Sequence, residues 1–123
     1  NIKYLSTIKN SQLNRYYSNA DVTVQPSLED GFNMVIAEAL ACGCPVITTE
    51  NTGGPDLFNN GNEGFIIKPM SAEKIYEKLE QLADDRNLRK RMSTSAILKT
   101  KKIGGWDQYG DRWISKLNNL NYE

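Results

Sequence analysis

Two carboxylates, Asp30 and Glu38, are the residues of this chain best placed to do chemistry, and both lie in the stretch PSLEDGFNMVIAEALACGCPVITT, residues 26–49. The run Asn33 to Ala41 is apolar and of helical length, Gly43 is a stop signal, and Pro45 to Thr49 is a short β-branched strand. A helix that opens just after Asp30-Gly31-Phe32 presents unpaired backbone N–H groups, and these with its macrodipole favour an anion such as a diphosphate. Gly31 lets a second backbone or a ligand come close. The same residues also suit an ordinary strand-to-helix turn with Asp30 as its cap, and from physics alone the two readings stand level.

Glu38 has Met34, Val35, Ile36, Ala37, Ala39, Leu40 and Ala41 around it, so the sequence offers it no obvious solvated face. A buried carboxylate without a partner is costly or takes up a proton, which predicts a hydrogen-bond donor for Glu38 from the protein or from a ligand. From Gly31 to Glu38 the rise is about 10 Å at ~1.5 Å per residue, the scale that separates a sugar diphosphate from the far edge of its ribose. Two ribose hydroxyls could bond to such an acid. A structural role is equally open at this point.

The elements that must position these acids follow from the rest of the chain. IKYLSTI over 2–8 alternates like a strand, and Ser11 precedes Leu13, Tyr16, Tyr17 and Ala20 at helical spacing. DVTVQ over 21–25 is a second β-branched run, closed by Pro26. Beyond Thr49, the segment NTGGPD predicts a turn and a short helix. Phe65-Ile66-Ile67 predicts a further strand, and Ser71 a cap for a helix with Ile75, Leu79 and Leu82 on its apolar face. Leu88, Met92 and Ala96 mark the next helix, 99–105 a basic, glycine-ended breaker, and Trp106, Tyr109, Trp113, Leu117 and Leu120 one stripe of a last helix, core or docking surface.

The fold class is therefore α/β. Strands alternating with helices predict a three-layer sandwich around a mostly parallel sheet of about four strands, with a helical C-terminal tail. Ligands of such sheets gather at the carboxyl ends of the strands, here the loops over 26–32, 50–55 and 68–71.

At 123 residues with 39% hydrophobic content, one core is expected, hence a single domain or part of one. The net charge is zero, which gives no footprint for nucleic acid. Residues 1–65 carry three Lys/Arg against seven Asp/Glu, and the remainder twelve against eight. The basic cluster Arg86, Arg89, Lys90, Arg91, Lys99, Lys101 and Lys102 suits a solvated helix face better than a lipid or partner surface. With no signal peptide and no run of bilayer length, the sequence predicts a cytoplasmic setting, with contact at the inner membrane surface as the lesser variant. Cys42 and Cys44 fit neither a zinc pair nor a redox motif and predict reduced thiols, so no metal site is expected. The chain has no histidine, which excludes Ser-His and Cys-His nucleophilic chemistry within it.

The string PSLEDGFNMVIAEALACGCPVI resembles the signature of the retaining, nucleotide-sugar-dependent glycosyltransferases of family 4, the group 1 type, which have two Rossmann-like domains in the GT-B fold. Asp30 and Glu38 hold the family's two acidic positions, and Gly31, Phe32, Ala39, Ala41, Gly43, Pro45 and Val46 fall where its pattern wants them. Asn19-Ala20-Asp21-Val22, Pro26-Ser27, Gly53-Gly54-Pro55-Asp56, Gly64-Phe65, Pro69 and Trp106 extend the resemblance over essentially the whole chain.

It implies that residues 1–123 are a truncated C-terminal, donor-binding domain, part of a Rossmann-like unit. Asp30 would lie near hydroxyls of the donor sugar as the catalytic acid position, the amides of Gly31, Phe32 and Asn33 would face sugar and diphosphate, and Glu38 would hold the ribose. No permanently bound cofactor or metal is implied; the nucleotide-diphosphate sugar is a substrate, and its sugar goes to a glycan, lipid or small acceptor, as in polysaccharide biosynthesis. The partner implied is an N-terminal domain that brings the acceptor site, and the isolated piece is expected to be inactive. Departures are Asp30, one methylene shorter than the usual glutamate and flanked by Glu29, and Asn33 where glycine is common.

Two strands that the family places earlier in this domain would leave 2–8 to pair with 21–25 or with a second copy, so a homodimer through an exposed sheet edge is a further expectation. The competing reading is a non-catalytic α/β interaction or scaffold module.

Overall fold

Short runs of Val, Ile and Thr build the centre of this molecule because, flanked by helices, they can be buried on both faces at once. The computed structural model describes residues 2–119. Their elements run α1 (Asn10–Asn19), β1 (Thr23–Gln25), α2 (Met34–Ala41), β2 (Val46–Thr49), α3 (Gly54–Leu57), β3 (Gly64–Ile67), α4 (Ala72–Asp84), α5 (Arg86–Ile103) and α6 (Trp106–Asn118). All three strands are parallel, in the order β1-β2-β3, with Val24 opposite Ile47 and Ile47 opposite Phe65.

The pleat sends successive side chains to opposite faces, and each face has its own core. Val46 packs with Ile36, Ala39 and Leu40 of α2, Leu57 and Phe58 after β2, and Ala96 of α5. Ile47, Phe65 and Ile67 pack on the other face with Leu82 of α4 and Met92 of α5. Helix α5 is long enough to contribute to both. The result is the three-layer α/β sandwich.

The sheet has three strands rather than four. Residues 2–9 form no strand, and Ile2 and Tyr4 are exposed. Alternation makes a strand only where a ladder partner and a covered face are both supplied, and this segment docks on neither edge of the sheet. Helix α5 runs through 99–103, where the sequence suggested a breaker; Lys and Thr there carry no bar to helix, and Thr100 bonds back to the Ala96 carbonyl at 3.0 Å. Gly104, at φ 79, is what ends it.

Ser71 stands at the start of α4 without a side-chain cap bond, whereas Asp85 caps α5 by accepting from the Leu88 N–H at 2.8 Å. Arg89 leaves the basic surface to donate from Nη1 to the Leu82 and Ala83 carbonyls and to face Asp21 at 3.4 Å. Arg86, Lys90, Arg91, Lys101 and Lys102 are exposed. Cys42 and Cys44 are free thiols, Cys44 fully buried. Burial raises the Cys44 thiol above its ordinary 9.0, with the Thr23 hydroxyl opposing. Leu120 lies outside the described residues.

Candidate functional site

The carboxyl ends of β1 and β2 are stitched together by hydrogen bonds to which the loop after β1 lends only main-chain groups. The Asp30 N–H donates to the Asn51 carbonyl at 3.0 Å, Asn51 Nδ2 to the Leu28 carbonyl at 3.0 Å, and the buried Thr49 hydroxyl to the Ser27 carbonyl at 2.6 Å. Beneath them the Thr48 and Thr52 hydroxyls lie 3.0 Å apart, and Thr52 Oγ1 takes the Gly54 N–H at 3.1 Å and donates to the Thr49 carbonyl at 2.8 Å. The loops over 26–33 and 50–54 thus form one platform.

Helix α2 starts from this platform with Asn33 as its first capping residue, in the left-handed region at φ 54. No side chain caps the helix start. Of the two readings of this turn, the one with Asp30 as the cap of α2 does not hold. Asp30 stands three residues ahead of Asn33, and its Oδ2 accepts a hydrogen bond from Asn33 Nδ2 at 2.8 Å instead of one from a helical N–H. Gly31 is exposed, has no positive φ, and has nothing within 4 Å of where a Cβ would stand, so neither backbone nor packing demands a glycine there. Met70, in the loop after β3, has φ 57 and is exposed. Both non-glycine residues with positive φ among the described residues therefore sit at the same end of the sheet.

The side chains of α2 divide into two stripes. Ile36, Ala39 and Leu40 enter the core, while Met34, Ala37, Glu38 and Ala41, at helical spacing, line a cleft of about 730 Å3. Glu38 consequently has an open side after all and is half-buried. Its protein donor is the Tyr17 hydroxyl of α1, at a long 3.5 Å. Burial first, then Glu38, pushes the Tyr17 phenol above its ordinary 10.0.

The opposite wall comes from Ile103, Trp106, Tyr109 and Arg112. Trp106 and Tyr109 meet edge-to-face at 5.9 Å, as do Tyr109 and Trp113 at 6.3 Å. Arg112 bonds the Ile103 carbonyl at 2.9 Å. The cleft's size falls in the ordinary range of small-molecule sites.

Of the five residues singled out from the sequence, Phe32 and Glu38 border this cleft, Asp30 and Asn33 are bonded to each other, and Gly31 lies open between Asp30 and Phe32. Tyr17, Arg112 and the close approach of Gly53 to the Phe32 carbonyl were not singled out, because each depends on which elements meet in space. Among the described residues no group of three or more Cys, Asp or Glu side chains could hold a metal ion. No helix among them is long and apolar enough to cross a membrane.

An open parallel sheet with helices on both faces, and a loop with positive φ, a free helix start and a cleft at its strand ends, is the Rossmann-like type of α/β domain. The chain belongs to the family described as glycosyl transferases group 1, whose profile matches residues 1–99. The capsular polysaccharide biosynthesis glycosyltransferase CapM of Staphylococcus aureus is 43% identical over 74 residues, covering 60% of this chain and 20% of CapM. The solved C-terminal domain of the group 1 family protein LpcC from Francisella tularensis superposes with a TM-score of 0.72 at 25% identity, over 82% of this chain and 51% of that one. Anabaena HepE in complex with UDP-glucose shares the fold, with a TM-score of 0.78 at 20% identity, over 86% of this chain and 29% of HepE. The chain spans about half of LpcC's solved domain and less than a third of the other two.

Proposed function

We propose that residues 1–123 form the donor-binding portion of a C-terminal domain in a glycosyltransferase that moves a sugar from a nucleotide diphosphate to a glycan, lipid or small acceptor. One observation carries this reading: α2 opens without a side-chain cap behind the unobstructed Gly31, and Glu38 on the same helix borders the cleft. An uncapped helix start leaves N–H groups and the positive end of the dipole for a diphosphate. Gly31 admits the phosphates close to the backbone, so the amides of Gly31, Phe32 and Asn33 can donate to them.

Four residues beyond the first residue of α2, about 6 Å at ~1.5 Å per residue, Glu38 accepts from the ribose hydroxyls. Its bond to Tyr17 is long enough for a ribose to compete with it. Asp30 lies at the sugar end. Family membership and the fold shared with a UDP-glucose complex support the assignment.

Nucleotides and nucleotide sugars of the UDP and GDP series, titrated by calorimetry and NMR against wild type and Glu38→Ala, test it. Shifts at 30–38 that weaken in the variant are expected. Identical shift patterns in the two proteins would overturn the ribose role. A scaffold reading is favoured by one feature, the half-exposed apolar face of Tyr109, Trp113 and Leu117, and predicts no nucleotide response at all. The domain of the same enzyme that brings the acceptor, or a second copy at the free edge of β1, would be the partner.

A further inference from the structure

A second cavity, of about 380 Å3, opens at the other end of the sheet from the candidate site, beside Asp21 ahead of β1 and Pro45 ahead of β2. One stripe of α5 forms its wall: Arg86, Lys90, Ser93 and Thr94 follow at spacings of three and four residues, so their side chains share a face. The turn after α2 closes the floor with Cys42 and Gly43. A Cβ on Gly43 would stand 3.0 Å from Ser93 Oγ, so turn and helix are in contact.

The fold accounts for only part of the positive charge here. Arg89 serves the Leu82 and Ala83 carbonyls and faces Asp21 at 3.4 Å, and Asp85 is taken up as the cap of α5. Arg86 and Lys90 lie four residues apart, a like-charge spacing that destabilises a helix, and near its start, where the dipole already disfavours cations. Among the described residues no ion pair reaches Arg86 or Lys90, and no side-chain hydrogen bond is made by Ser93 or Thr94. Two cations and two hydroxyls thus line one polar cavity without a partner in the protein.

We infer that this cavity is a second binding site, separate from the donor cleft, for a phosphate monoester. The dianion takes charge-assisted hydrogen bonds from the Arg86 guanidinium and the Lys90 ammonium, and further ones from the Ser93 and Thr94 hydroxyls. Placed between the two cations, it converts a repulsive pair into an attractive triplet. Asp21 does not oppose it, because that carboxylate faces Arg89. No aromatic side chain lines the cavity, so the ester it suits is small and polar rather than a nucleotide. The inference is independent of the donor reading.

Cys42, half-buried in the floor, is a reporter already in place, since Cys44 is fully buried. On the intact polypeptide that carries this chain, labelling of Cys42 by uncharged N-ethylmaleimide is followed by peptide mass while glycerol phosphate is titrated. Sodium chloride at matched ionic strength is the reference, and phosphatidate in phosphatidylcholine vesicles is a separate arm. Glycerol phosphate is expected to slow labelling saturably. Arg86→Gln with Lys90→Gln should raise the half-saturating concentration at least ~10-fold, the size of one lost charge-assisted bond, and Ser93→Ala should raise it by less.

Both cations are exposed, so the double variant should melt no lower than wild type. Glu38→Ala, in the donor cleft, should leave the protection unchanged. Protection by phosphatidate vesicles, with or without the soluble ester, identifies a lipid headgroup as a source of the same group. Protection that chloride matches, that neither ester nor vesicle gives, or that survives undiminished in the double variant would overturn the site.

Discussion

Gly53 lies so close to Phe32 that a Cβ on it would stand 2.0 Å from the Phe32 carbonyl oxygen. The loop after β2 is the surface on which the loop after β1 rests. The contact is backbone on backbone, so no rotamer change can relieve it.

Gly53→Ala should therefore displace the two loops. A loss of about 1–3 kcal/mol in urea unfolding is expected, the usual range for forced overpacking, together with weakened nucleotide binding. Wild-type stability in this variant would show that the loops are not in contact.

Gly31→Ala is the complementary case. The added methyl meets nothing of the protein, and the position needs no positive φ, so stability should change by no more than about 1 kcal/mol. Donor affinity should fall at least ~10-fold if phosphates pass where the methyl stands. Calorimetry and a melting curve on the same sample separate the two; unaltered affinity would count against a ligand at Gly31.

Thr52→Val should loosen the platform from below. It removes the acceptor of the Gly54 N–H and the donor to the Thr49 carbonyl in a buried setting, at a cost of about 1–3 kcal/mol. Hydrogen exchange at Gly54 is the direct readout, and slow exchange in the variant would contradict the assigned bond.

Stability should decline in alkali for two identifiable reasons. The Cys44 thiol is raised above 9.0 chiefly by burial, and the Tyr17 phenol above 10.0 by burial and then Glu38. Both groups are neutral when protonated, so as pH rises the unfolded chain releases its proton first and binds fewer protons than the folded one. The slope is negative, and stability present below the ordinary values is lost from about pH 9 upward. Cys44→Ala should delay the onset and Tyr17→Phe should flatten the later part. Urea titrations between about pH 8 and 11 that show parallel curves for all three proteins would contradict the assignment.

The central stretch was legible because its signals are local and agree. Apolar run, Gly43 and the Val-Ile-Thr-Thr strand each point to the same element, and Gly43 does adopt φ 74. What failed was whatever depends on distant partners. Residues 2–8 carry strand chemistry but find no edge, and Glu38 looked enclosed because its sequence neighbours are apolar, although Met34, Ala37 and Ala41 share its stripe along an open cleft. Asp30 had the composition of a cap, yet the left-handed turn at Asn33 draws its carboxylate to a side chain. Gly53 was legible as a turn residue, not as a point where two loops meet.

In the stitching of Ser27, Leu28 and Asp30 to Thr49 and Asn51 the first three lend only main-chain atoms, while Thr49 and Asn51 supply side chains to two of the three bonds. Two tasks are thereby separated. The platform's shape is inherited from the sheet, and the Asp30 side chain stands on it free to be exchanged, while Asn33, at φ 54, is open to few residues besides asparagine, aspartate and glycine. Exchanging the Asp30 side chain therefore leaves the mount in place, whereas a bulky or β-branched residue at Asn33 would remould it.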